Sequence, residues 1–431
     1  MMSTAFALDF PGRALRNFMH RIEVPGDIEA VTDIDADAEC DPLEAGIAHK
    51  QAAAIWRGVE DLYRTGYYPA VMFCLRRQGR VVFNRAIGHA RGNAPGDDAD
   101  TPKVPVSTST PTCIFSASKA ITAMLVHRMD EKGEINLLNP ISHYIPEFGK
   151  HGKERTTIYH LLSHRAGIPG IEGVDDPRVV LDHEQSLQLL CDAKPQHLFG
   201  REQAYHAITG GVILAEIVRR VSGMDIRKAW RTWFKEPMGL RVLDYGASAA
   251  VRAKLAQQAM TGIQNCRVVD NFMRGAIGAT LSEVGELLND PGFYQAIIPS
   301  GNMVATAGEA TAFYQMLLDG GRWNGHQILR PETILRATME VGPHQFDRSV
   351  GMPLRFSQGF MMGGTPFGLF GARSHHAYGH VGLVNNITWA DPERQISVAL
   401  LVSGIPLLAG NLGALMRLIS RIGKACPRVE S

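Results

Sequence analysis

Apolar residues recur at helical spacing first at Ile47, Ile55, Val59 and Leu62. Asp41-Pro42 gives that helix an acidic cap with proline at the first position, and Gly66 ends it. The pattern then changes period. Residues 70–75 and 81–83 read as two strands joined by a turn around Gln78-Gly79. Residues 91–111, with their Gly, Pro, Asp and Thr, read as a loop. A helical stripe returns with Ile121, Met124, Leu125 and Met129, on a helix from Ser116 to about Lys132 that Gly133 stops. Residues 157–164 predict a helix closed by Arg165-Ala166-Gly167, and most of 180–296 is helical in pattern, notably 208–221 and 225–234. A helix over 307–318 and a glycine-rich segment over 359–371 lead to His380. Residues 384–390 and 396–402 form a second hairpin across Asp391-Pro392-Glu393-Arg394, and a helix over 407–422 closes the chain.

Strands therefore sit at both ends and helices fill the middle. The economical architecture is α/β (α+β): one antiparallel sheet built from both ends, flanked by helices, with a mostly helical domain inserted. The expected division is an arm over 1–40, a sheet domain from 41–115 and 300–431, and a helical domain over 116–299, with the active site between them. The arm carries the turn dipeptides Pro11-Gly12 and Pro25-Gly26, an acid-rich stretch over 27–41, and room for a short basic helix over 13–21.

Composition changes this picture by exclusion. A formal net charge of +1, with acids and bases mixed, argues against nucleic acid or an anionic membrane as the main partner. The six cysteines lie far apart without a CxxC pair, as expected of free thiols in a reducing compartment. The first residues lack a basic region followed by an apolar run, and no stretch approaches the roughly 18 apolar residues of a membrane span. A cytoplasmic location is the expectation.

Three places can carry chemistry. Ser116 and Lys119 stand three apart at a helix start, on one face, with Cβ atoms about 5–6 Å apart. An amine there can take a proton from a hydroxyl if burial keeps it neutral part of the time, and the helix N-terminus favours an oxyanion. A helix cap beside a solvated lysine has the same spacing. Tyr205, in Phe199-Gly200-Arg201-Glu202-Gln203-Ala204-Tyr205-His206-Ala207, is a core phenol or a partner sharing a proton with a lysine. His380, in Gly379-His380-Val381-Gly382, is a structural histidine or a binding group, and Gly382 leaves room for a substrate to approach the strand.

Other signals are discounted. Cys113 lacks an adjacent base, and Gly246-Ala247-Ser248-Ala249-Ala250 is a broken G-x-S-x-G. His160 and His164 are four apart but lack the HExxH pattern, so structural roles and no metal are expected. His375-His376 border the pocket or are solvated, and the 359–371 run lacks the Gly-Lys-Ser/Thr of a phosphate loop.

Together, Ser116-Ala117-Ser118-Lys119, Tyr205 and His380-Val381-Gly382 resemble the three signature elements of the serine β-lactamase and penicillin-binding-protein superfamily. The class C-like branch, which includes the family VIII carboxylesterases, is the most similar. Leu161-Leu162-Ser163-His164-Arg165-Ala166-Gly167-Ile168 is similar to that branch's LLTHTSGL segment. Further segments match in the same order, over roughly 48–420.

The resemblance implies a β-lactamase-like sheet flanked by helices, with no cofactor and no metal. It implies Ser116 as acylated nucleophile, Lys119 as general base, and Tyr205 as the proton shuttle to leaving group and water. The backbone N–H groups of Ser116 and Leu383 would form the oxyanion hole. Two departures bear on substrate. Ala207 stands where the family's tyrosine motif usually ends in an Asn that bonds an amide. His380, largely neutral at pH 7, replaces a lysine that suits a substrate carboxylate; Arg373 is the alternative cation. The expected function is a serine hydrolase acting on small or medium carboxylic esters. Acyl transfer to an alcohol or amine, a β-lactamase or D-amino-acid peptidase, and a binding or scaffold protein with vestigial catalysis are the alternatives.

Overall fold

The computed structural model describes residues 19–171, 176–264, 266–342, 345–383, 386–407 and 410–429. Its main sheet is built from both chain ends. In chain order the strands are β1 (Thr32–Ile34), β2 (Ala70–Arg77), β3 (Arg80–Arg91), β4 (Met361–Met362), β5 (Tyr378–Val381), β6 (Ile387–Asp391) and β7 (Ile396–Val402). Across the sheet the order is β4-β5-β6-β7-β2-β3-β1, and each neighbouring pair is antiparallel. Val104–Pro105 adds a short edge beside β3.

The alternation along β2 sorts side chains to two faces. Val71, Phe73 and Leu75 join a cluster with Ile55, Val59 and Leu62 of α1 (His49–Tyr63). The same cluster holds Leu415, Leu418 and Ile422 of the last helix, Leu412–Ala425. Met72 and Cys74 point the other way. They join Ile121 and Met124 of α2 (Ser118–Glu131), Ile213 and Ile217 of α3 (Thr209–Ser222), and Phe313 and Met316 of α4 (Ala307–Leu318). Burial on both faces makes the central strands almost wholly apolar.

Several elements differ from expectation for local reasons. Asp41 caps only a 3₁₀ turn over Pro42–Ala45, because Gly46 turns left-handed at φ 68° and α1 starts afresh at His49. Within the expected arm, β1 pairs with β3 and Met19–His20 pairs with Gly262 and Ile263. The basic helix over 13–21 lies largely outside the described residues, and Met19–His20 is strand. Inside the helical stretch, Ala259–Ile263 forms a strand that runs parallel to Gly404–Leu407. The closing helix consequently begins at Leu412 and not at 407. Another small sheet joins Thr112–Cys113 and Asp244–Tyr245 to Met303–Ala305, and it anchors the turn that carries Ser116.

Candidate active site

Ser116 does not cap α2. It sits one turn earlier, in a 3₁₀ turn over Phe115–Ala117. Phe115 adopts a φ of 49°, a region costly for a bulky side chain, so surrounding contacts must hold it. They do: Ile114 N–H donates to Met303 O at 2.9 Å. Ser118 Oγ donates to Phe115 O at 2.5 Å and accepts from Met303 N–H at 3.1 Å.

Lys119, on the first turn of α2, places Nζ 3.0 Å from Ser116 Oγ and 2.9 Å from Ser300 O. Ser300 is itself fixed, with Oγ donating to Ile208 O at 3.0 Å and accepting from Gly211 N–H at 3.0 Å. Any Cβ at residue 211 would come within 2.2 Å of that oxygen, so the contact requires glycine. Desolvation holds the Lys119 amine well below the usual lysine range.

Tyr205 completes the group. Its ring centroid lies 4.9 Å from Lys119 Nζ, and its side chain lines the same cleft as Ser116. Burial raises the phenol's pKa, opposed by the neighbouring Ser116 side chain. Three successive backbone N–H groups hold this segment. Ala204 N–H donates to His164 O at 3.0 Å, Tyr205 N–H to Asp347 Oδ1 at 3.1 Å, and His206 N–H to His164 Nδ1 at 3.1 Å. The same Asp347 oxygen accepts from Ser349 and Val350 N–H at 3.0 Å each. Neither His164, set aside with His160 as structural, nor Asp347 stood out in the sequence. The –LSHRAG– likeness was the signal for His164; Asp347 had none.

His380 is fully buried on β5, its Nδ1 donating to Val381 O at 2.8 Å and its ring centroid 6.1 Å from that of Tyr205. Burial and then the nearby Lys119 push it down to about 3, so it is a neutral imidazole. Gly382 also meets the chain leading to Ser116: a Cβ there would lie 2.4 Å from Ile114 O, so the close approach of the two backbones needs its bare Cα.

Ser116, Tyr205, Ala207, Gly382 and Leu383 line a cleft of about 850 Å³. Its arginines are Arg274 and Arg348; Arg373 is exposed and is not among the lining residues. His375 and His376 are also exposed and outside the lining, with His375 Nε2 3.2 Å from Arg355 Nη2. Cys113 is a buried thiol pushed up to about 12 by desolvation. Ser248 caps the short helix Ala249–Arg252. His160 Nδ1 takes part in the capping of Thr157. Among the described residues no group of His, Cys, Asp or Glu is arranged to hold a metal.

A crevice beside an antiparallel sheet, holding serine, desolvated lysine and buried tyrosine together, defines a serine hydrolase of the β-lactamase fold. The chain belongs to the Beta-lactamase family, whose model matches residues 55–412. Esterase/beta-lactamase LipL of Mycobacterium tuberculosis is 31% identical over 315 residues, covering 69% of this chain and 70% of that protein. A penicillin-binding protein homologue from Caulobacter crescentus superposes with a TM-score of 0.75 at 26% identity, over 88% of this chain and 98% of that one. A family VIII carboxylesterase shares the fold, with a TM-score of 0.74 at 22% identity over 88% and 98% of the two chains. The expectations for family and fold are borne out.

Proposed function

We propose that this enzyme hydrolyses uncharged carboxylic esters through an acyl-Ser116 intermediate. The observation that carries the reading is the 3.0 Å contact between Ser116 Oγ and a Lys119 amine stripped of water. Neutral Lys119 takes the Ser116 proton as Oγ bonds to the ester carbonyl carbon. The N–H groups of Ser116 and Leu383 receive the oxyanion. As the bond from that carbon to the alkoxy oxygen breaks, the proton passes through Tyr205 to the departing alcohol. Water then attacks the acyl carbon and gives its proton to Lys119; the bond from that carbon to Ser116 Oγ breaks, Lys119 returns the proton to Oγ, and the acid is released.

The choice of uncharged esters rests on two residues. Ala207 has no amide to bond a peptide or lactam, and neutral, buried His380 supplies no charge for a carboxylate. The similarity to LipL, named an esterase as well as a β-lactamase, supports the same reading. We place the cleft between a sheet body (41–115 and 300–431) and a helical insert (116–299). A cytoplasmic location is part of the proposal, supported by six unpaired cysteines. Among the described residues no helix is long and apolar enough to cross a membrane.

The test is a fluorophosphonate probe together with p-nitrophenyl butyrate. The proposal expects stoichiometric labelling and steady turnover, both absent in Ser116→Ala. Labelling of neither protein would remove the catalytic reading and favour a binding role.

A further inference from the structure

The cleft is much larger than a short ester needs, and its apolar lining is drawn from different hydrophobic clusters, with Leu190 and Val212 from the cluster that also holds Ile213 and Ile217. One part of the lining, with Val284, Leu288, Phe293 and Ile298, belongs to a cluster of the helical segment that also contains Phe115. A second part of the lining, with Leu354 and Met361, belongs to the cluster under the sheet that contains Tyr205 and Ala207. Phe115, beside Ser116 in the chain, belongs to one of these clusters and Tyr205 to the other, and Ile208 packs against both. The arginines that line the cleft are each matched by an acid: Arg274 with Glu283 at 3.5 Å, and Arg348 with Glu202. An anionic substrate would have to displace those carboxylates, whereas hydrocarbon would meet apolar surface on either side. A cleft of about 850 Å³ falls in the upper part of the range, about 300–1,000 Å³, that encloses whole drug-sized ligands.

We propose that the natural substrate is a bulky ester, uncharged and apolar on both sides of the scissile bond. The acyl group lies on one of these two parts of the lining and the alcohol group on the other. The inference rests on the ester-hydrolase reading given above, and one experiment separates the two.

Two substrate series test it, p-nitrophenyl esters from acetate to octanoate and butyrate esters from methyl to octyl. In the native enzyme, kcat/KM should rise by about tenfold or more along each series, as burial of successive methylenes dictates. Leu287→Trp fills the helical-side wall and Leu369→Trp the sheet-side wall; each should flatten one series and leave the slope of the other. Alanine at either position should move the optimum of the matching series to longer chains, which keeps the test usable if a tryptophan variant does not fold. Acetate turnover with no preference for octanoate would overturn this inference while leaving the hydrolase reading intact. Flattening of both series by both tryptophan variants would also overturn it, since the walls would then not be separate. No turnover of any ester would overturn both.

Discussion

Asp347 Oδ1 accepts the backbone N–H of Tyr205 at 3.1 Å, although 142 residues separate them in sequence. One fully buried carboxylate oxygen thus ties the tyrosine segment to the turn over residues 348–350 that borders the cleft. Asp347→Ala leaves three backbone donors, the Tyr205 N–H fully buried, without that acceptor. A misplaced Tyr205 should lower kcat by about 10²-fold with a smaller change in KM. The melt should show a loss of about 1–3 kcal/mol. Asp347→Asn keeps one acceptor oxygen and should recover part of kcat; equal loss in both variants would contradict the role.

The lowered pKa of Lys119 fixes the sign of two pH effects. Ester turnover should rise with pH as Lys119 loses its proton and then level off. Lys119→Arg, which stays charged, should be inactive at every pH. For stability, the folded state gives up this proton at lower pH than the unfolded chain, whose amine titrates near the ordinary lysine value of 10.5. The stability linked to this group is therefore fully present above that unfolded value and is lost as pH falls through the folded one. Lys119→Met should melt higher than the native protein at pH 7, with the gap closing toward pH 10 and above. A gap independent of pH would contradict a desolvated amine.

Gly382→Ala tests the packing of β5 against the chain that leads to Ser116. The added carbon would sit 2.4 Å from Ile114 O, so the backbone must shift. Overpacking of this kind costs about 1–3 kcal/mol, and fluorophosphonate labelling of Ser116 should slow with it. Gly96→Ala, where a Cβ meets nothing within 4 Å, is the control and should melt as the native protein does.

The type of the main elements was legible because their apolar periods were clean. The continuous apolar run over 70–75 and the helical stripe from Ile121 to Met129 match β2 and α2. Ser116, Lys119 and Tyr205 were legible through motif spacing, and the structure brings all three together. What spacing could not convey is how they are held. The left-handed Phe115 is set by the small sheet around Met303, not by any preference of phenylalanine. Asp347 reads as an ordinary acid until the fold sets it under Tyr205. Residues 404–407 lack alternation, and only pairing with 259–262 makes them a strand. Long-range partners, invisible in a local pattern, account for each of these.

Substrate preference offers a further comparison. With Ala207 and neutral His380, a chromogenic cephalosporin should be hydrolysed at least about 10²-fold more slowly than p-nitrophenyl butyrate, because amide and carboxylate would lack partners. Ala207→Asn should narrow that ratio. A native enzyme that turned over the cephalosporin as fast as the ester would contradict the assignment to uncharged esters.

The central claim is that the acyl group is carried on Ser116. Rapid acid quench during turnover of p-nitrophenyl octanoate, followed by intact mass and peptide mapping, tests it directly. The account predicts a single acyl increment on the peptide containing Ser116, decaying as substrate is exhausted, and neither adduct nor turnover in Ser116→Ala. Turnover retained in Ser116→Ala, or an adduct found instead on Cys113 or Ser248, would contradict it.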